Sequence, residues 1–224
     1  MADVAILFDL DGTLVDSVYQ HVLAWRQALE SAGIQLSVWR IHRRIGMSGG
    51  LFVNALLREI GMARLPKHEM DEIIKRHGEA FVTMKDQVRP LPGSKELLKK
   101  LNELNVPWAI ATSGTKMTSQ PSLSMLEVPD TVPVVTREEV SAAKPDPDLF
   151  IAAAKKLGVP VEQCVVVGDS IWDMLAAQRA RALGVGLLSG GYGREELERA
   201  GAYRVYDDPH DFSMHLDEIG VREP

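Results

Sequence analysis

The chain has 224 residues, 46% hydrophobic and 25% charged, with 25 basic against 31 acidic side chains and a formal charge of −6. That size fits one large domain, or one domain carrying a smaller one, with a core that needs no disulfide or structural metal. The acidic balance argues against broad nucleic-acid or anionic-membrane binding, while leaving room for a small anion held by local basic groups.

Val4 to Phe8 is a short apolar run that stops abruptly at Asp9, the pattern of a buried strand. Ser17 to Ala32 reads as a helix, with Val22, Leu23, Trp25, Ala28, Leu29 and Ala32 at helical spacing and Gly33 as its stop. Further helical segments follow, at Phe52 to Ile60 and Glu69 to Met84, and no strand is predicted between residues 16 and 88. Arg89-Pro90-Leu91-Pro92-Gly93 breaks this pattern. A helix is then predicted over Ser94 to Leu104, and from there strands and helices alternate. The strands are Trp108 to Ala111, Val132 to Val135, Cys164 to Val167, Val185 to Leu188 and Tyr203 to Val205. The helices are Pro147 to Leu157, Met174 to Ala182 and Arg194 to Ala200.

Such alternation predicts an α/β fold: a doubly wound, mainly parallel, Rossmann-like sheet. The first strand belongs to that sheet, yet a long, purely helical stretch separates it from the rest. The expected organisation is a core made of residues 1–15 and 92–224, interrupted by an all-helical insert at 16–91. Cys164 is the only cysteine, so no intrachain disulfide forms and a reducing compartment fits. No leader of basic then apolar residues precedes Asp9, and no apolar run is long enough to span a bilayer, so a cytoplasmic protein is expected.

Four polar segments follow the predicted strands. In extended chain, residues i and i+2 share a side, so Asp9 and Asp11 project together from the first strand. Ligands of open α/β sheets bind beyond such strand ends. Two carboxylates there repel each other and a phosphate unless a cation joins them, and magnesium is the fitting hard cation. Gly12 permits the sharp exit from the strand. Alone, the segment reads also as an acidic turn capping a helix. A calcium loop fits less well, because such loops sit between helices.

Thr112-Ser113-Gly114 reads equally as a plain turn or as a hydroxyl and backbone cradle for phosphate oxygens. Lys144-Pro145-Asp146-Pro147 opens a helix, and the two prolines hold it rigid. A lysine fixed there neutralises charge on a phosphoryl group better than it serves a helix start, where the dipole disfavours it. Gly168-Asp169-Ser170-Ile171-Trp172-Asp173 offers Asp169 as a further carboxylate for the same cation. Asp173 shares its helical face or is a solvated first-turn acid.

Together these segments resemble the haloacid dehalogenase superfamily of phosphohydrolases. The resemblance spans essentially the whole chain, through Phe-Asp-Leu-Asp-Gly-Thr-Leu-Val-Asp-Ser at 8–17, Ala-Thr-Ser-Gly at 111–114, Ala-Lys-Pro-Asp-Pro at 143–147 and Val-Gly-Asp-Ser with Asp173. The helical insert is similar to the small cap of the phosphoglycolate phosphatase and β-phosphoglucomutase branch. The resemblance implies a phosphatase in which Asp9 is the nucleophile and Asp11 the general acid and base. It implies that Thr112, Ser113 and Gly114 hold the phosphoryl group and that Lys144 stabilises its charge. Asp9, the backbone carbonyl of Asp11 and Asp169 would hold Mg2+, with Asp173 behind them or as a further acidic contributor.

Dehalogenases of this superfamily lack the second aspartate, so Asp11 favours phosphoryl transfer. A mutase is the runner-up, since His21 and Trp25 resemble the start of the mutase cap. Ile45 and Gly49, however, stand where the mutase carries a lysine and an arginine for a second phosphate. Thr13 also fits the hydrolytic members, and is expected near the substrate. His21 either lines the substrate pocket or is a buried helix histidine. Arg43, Arg44 and His77 are candidates for recognition or solvated side chains. A non-catalytic binder of phosphometabolites on the same fold is the reading from another class. Neither the ester nor the oligomeric state is legible; a small phosphorylated metabolite is the expected partner.

Overall fold

A computed structural model describes residues 4–222. Six parallel strands form the main sheet: β1 Ala5–Phe8, β4 Trp108–Ala111, β5 Val134–Val135, β6 Cys164–Gly168, β7 Leu183–Leu187 and β8 Ala202–Tyr206. Their spatial order is β5-β4-β1-β6-β7-β8. Strand order therefore turns outward in both directions from β1, and the crevice for a ligand opens at that switch point.

The apolar runs of β1, β4 and β6 are continuous because these strands are buried on both faces. Ile6 and Phe8 face one layer with Trp108, Ile110, Val165 and Val167. Ala5 and Leu7 face the other with Ala109, Ala111 and Val166. On the first face lies α5 (Ser94–Glu103), which buries Leu97, Leu98 and Leu101. On the second lies α7 (Asp148–Leu157), which buries Leu149, Phe150, Ala153 and Ala154. The strand starting at Cys164 is followed by α8 (Ile171–Ala180).

Between β1 and β4 the chain forms α1 (Val18–Ser31), α2 (Val38–His42), α3 (Gly49–Glu59) and α4 (Lys67–Thr83). These helices share an apolar cluster of their own, centred on Val22, Trp25, Leu29, Ile41, Phe52, Leu56 and Ile73. A two-residue antiparallel pair, β2 (Val15–Asp16) with β3 (Arg89–Pro90), ties the two ends of this helical segment together. Strands so short leave no periodicity to read.

Two further departures from the sequence reading have clear causes. The strand expected at Val132 to Val135 is only Val134–Val135. The helix α6 (Lys116–Met125) was not anticipated, because Lys-Met-Thr-Ser-Gln-Pro-Ser-Leu-Ser-Met is hydroxyl-rich and carries Pro121 inside. It starts on a reciprocal cap between Thr115 and Thr118 and buries Thr118, Ser119 and Ser122 rather than an apolar stripe. No described helix is long and apolar enough to cross a membrane.

Candidate active site

Three strand ends converge on one point. Asp9 follows β1, and its N–H donates to Val167 O on β6 (2.9 Å). Thr112 follows β4, and its N–H donates to Val135 O on β5 (3.0 Å). Asp169 follows β6. Ligand oxygens from Asp9, Asp169 and Asp173 lie within 4.8 Å of one another, and all three residues are buried.

Backbone packs unusually close to Asp169. A Cβ on Gly12 would sit 2.5 Å from Asp169 Oδ2, and one on Gly190 only 1.7 Å away. Gly12 also has φ of 84°, so its turn needs glycine twice over. Ser189 Oγ donates to Gly12 O (2.6 Å), which binds the loop after β7 to the turn after β1. Gly190 was absent from the sequence reading. Leu-Ser-Gly after a strand carries no signal until the fold brings it against Asp169.

The Lys144 side chain is fully buried. Its ammonium donates to Asp9 Oδ1 and lies 2.8 Å from Asp173 Oδ1, the latter outside hydrogen-bond alignment. Burial alone would lower its pKa, but the carboxylates of Asp173 and Asp9 outweigh that and push it up, so the ammonium stays charged. Burial pushes the Asp9 carboxyl up to about 7, against the lowering effect of Lys144. Burial and the neighbouring Asp173 and Asp9 push Asp169 well above the usual carboxylate range. Three carboxyls sharing one ammonium and a dry setting are short of positive charge. A hard dication with oxygen ligands fits that deficit.

Asp11 faces elsewhere. Its Oδ1 accepts from Ser17 Oγ (2.6 Å) and lies 3.2 Å from His21 Nε2. Burial would raise this carboxyl, but His21 and Ser17 outweigh it and hold it below the usual value. Asp9 and Asp11 thus leave one strand end in different electrostatic settings, Asp9 buried against Lys144 and Asp11 against His21 and Ser17.

Above them a cleft of about 370 Å³ opens between the sheet and the helical segment. Asp9, Asp11, Thr112, Ser113 and Gly114 line it from below, and His21, Ile45, Gly49, Met70, Ile74 and His77 from above. The segment between α2 and α3 touches the loops of the site. Ser113 Oγ donates to Gly46 O (2.9 Å), and Ser48 N–H to Lys144 O (3.4 Å).

A family model described as haloacid dehalogenase-like hydrolase matches residues 4–181. The chain belongs to the haloacid dehalogenase-like hydrolase family. It is 32% identical to hexitol phosphatase A of Escherichia coli, over 78% of each chain. It is 29% identical to a phosphoglycolate phosphatase of Agrobacterium fabrum, over 82% of this chain and 80% of that one. A solved hydrolase from Pseudomonas syringae is 53% identical, covers 96% of this chain and 99% of its own, and superposes with a TM-score of 0.94. This haloacid dehalogenase-like hydrolase is a phosphoric monoester hydrolase.

Several residues singled out from the sequence sit apart from the cleft. Thr13, expected beside the substrate, is fully buried and donates its hydroxyl to Asp169 Oδ1 (3.0 Å). Arg43 pairs with Glu196 and lies over the Tyr192 ring. Arg44 pairs with Glu59 at 2.6 Å. Asp173 is no solvated first-turn acid: its Oδ2 accepts from Ser170 N–H (3.1 Å) and Ser170 Oγ (2.5 Å) at the start of α8. Ser170, not Asp169, is the cap of that helix.

Proposed function

We propose that this phosphatase cleaves a small phosphate monoester through a phosphoryl group carried on Asp9, with Mg2+ as cofactor. The observation that carries the reading is Asp9 at the floor of the cleft, paired with Lys144 buried behind it, with Asp11 beside it in a separate polar cluster. Residues 16–91 act as a cap over a core of residues 1–15 and 92–224.

In the first step an Asp9 carboxylate oxygen attacks phosphorus, and the bond from phosphorus to the ester oxygen breaks. Asp11 gives its proton to that departing oxygen. Asp11 is held below the usual carboxylate value in the free enzyme, so the proton it gives comes from solvent, taken up as the negative charge of the entering phosphate favours the protonated carboxyl. In the second step water attacks phosphorus, Asp11 accepts the proton, and the bond to Asp9 breaks to release phosphate. Lys144 neutralises the oxygens of Asp9 and of the group in transfer. Thr112, Ser113 and Gly114 orient those oxygens. Asp9, Asp169 and the Asp11 carbonyl would hold Mg2+, which when bound supplies positive charge to the transferring group; Asp173 supports from behind. Ile45 and Gly49 line the cleft without charge at the positions where a mutase carries basic residues, which favours hydrolysis over a mutase; the basic residues that do line it, Lys75 and Arg137, come from other parts of the chain.

Mg2+-dependent release of phosphate from an aryl phosphate tests this. Asp9→Asn is expected to lower kcat at least about a thousandfold. Equal release by both proteins would overturn the assignment. Isomerisation of a sugar phosphate without phosphate release would point to the mutase instead.

A further inference from the structure

Two histidines from different helices meet inside the cleft wall. His21 on α1 and His77 on α4 are 56 residues apart, and His21 Nδ1 lies 3.0 Å from His77 Nε2. Each ring is clamped: His21 stacks on Phe81 (3.8 Å between centroids, 3° between planes), and His77 on Trp25 (3.9 Å, 10°). His21 uses its other nitrogen on Asp11. A hydrogen-bonded chain therefore runs from Asp11 through His21 to His77, and each ring is fixed in orientation by an aromatic partner.

The chain ends at the cleft. His77 lines it, and among the described residues no hydrogen bond or ion pair takes up its Nδ1. Burial and the neighbouring His21 keep His77 well below its usual pKa, so the ring is neutral and offers no charge to an anion. A neutral imidazole with one nitrogen engaged presents the other as a single acceptor or a single donor, depending on the tautomer. A hydroxyl group donates and accepts, so it satisfies either state. An alkyl group satisfies neither.

We propose that His77 recognises a hydroxyl on the alcohol part of the substrate, set several bonds from the ester oxygen. The spacing follows from the chain itself: Asp11 meets the ester oxygen, and His21 stands between Asp11 and His77. The substrate is then a sugar or polyol phosphate rather than a short or purely apolar ester. Trp25, Met70 and Ile74 supply the apolar wall for its carbon skeleton. This inference rests on the phosphatase reading of the same cleft.

The test is a set of sugar and polyol phosphates, each compared with monodeoxy analogues and with an alkyl phosphate of equal chain length. For the unaltered enzyme, loss of one distal hydroxyl is expected to lower kcat/KM at least about tenfold, the worth of one desolvated hydrogen bond. In His77→Phe, which keeps the stack on Trp25, that difference is expected to collapse to about twofold or less. His77→Gln, with an amide that also donates and accepts, is expected to restore part of it. Release with no dependence on any distal hydroxyl, or a dependence that survives in His77→Phe, would overturn this proposal alone. No release from any ester would overturn it together with the phosphatase reading.

Discussion

Asp173 forms an ion pair with Lys144 through one oxygen and accepts from Ser170, the cap of α8, with the other. Its Oδ1 lies 2.8 Å from the Lys144 ammonium, and its Oδ2 accepts from the backbone and hydroxyl of Ser170. The start of α8 thus fixes the direction from which the lysine approaches Asp9. On the proposed mechanism, catalysis and local stability share this residue and can be separated by two substitutions. Asp173→Asn turns an amide or a neutral oxygen toward the ammonium, and is expected to lower kcat by about tenfold to a hundredfold. Ser170→Ala removes the hydroxyl of the cap and is expected to cost about 1 kcal/mol of stability with a smaller loss of kcat. Steady-state rates at saturating Mg2+ and thermal unfolding of both variants check this. Equal losses of kcat in the two would contradict it.

Asp169 is wedged under the backbones of Gly12 and Gly190 beside two other carboxyls. Its raised pKa records the cost of that position. Asp169→Asn keeps the shape and leaves Thr13 a carbonyl to bond. The metal-free variant is expected to be more stable than the unaltered protein by about 1–2 kcal/mol. Mg2+ at a hundred times its Kd is expected to stabilise the unaltered protein by about 2.7 kcal/mol and to leave the variant almost unmoved. Thermal unfolding with and without Mg2+ reads both effects, independently of turnover.

His77 gives stability a pH dependence of definite sign. In the folded chain it stays neutral below its usual value of 6.5, because burial and His21 oppose the charge. Above that value both folded and unfolded states are neutral, and His77 adds no slope. As pH falls below 6.5, the unfolded chain takes a proton that the folded one refuses, so stability is lost, by at most about 1.4 kcal/mol per pH unit. His77→Phe is expected to flatten this part of the curve. Denaturant unfolding across that range, on both proteins, measures the difference in slope.

The strands that carry Asp9, Thr112 and Asp169 were legible because each is an apolar run cut off by a polar residue. Burial on both faces writes that pattern directly into the chain. The helix α6 was not legible, since its buried face is made of Thr118, Ser119 and Ser122, which no hydrophobic period reveals. The contact of His21 with His77 was hidden for a different reason. Each residue looks like part of an apolar helix face, and only the packing of α1 on α4 brings the two rings together. Arg43 and Arg44 show the converse: basic residues near a cleft in sequence terms, each already engaged by a glutamate, Glu196 and Glu59. Thr13 lies close to Asp9 in sequence, yet its hydroxyl donates to Asp169.

The central claim is that phosphorus is bonded to Asp9 before water reaches it. The most direct measurement is the stereochemical course of hydrolysis, using a phosphorothioate ester made chiral at phosphorus by two oxygen isotopes and cleaved in water carrying the third. Two in-line displacements, first by Asp9 and then by water, give chiral thiophosphate with net retention of configuration. Net inversion would mean a single attack by water and would contradict a nucleophilic role for Asp9.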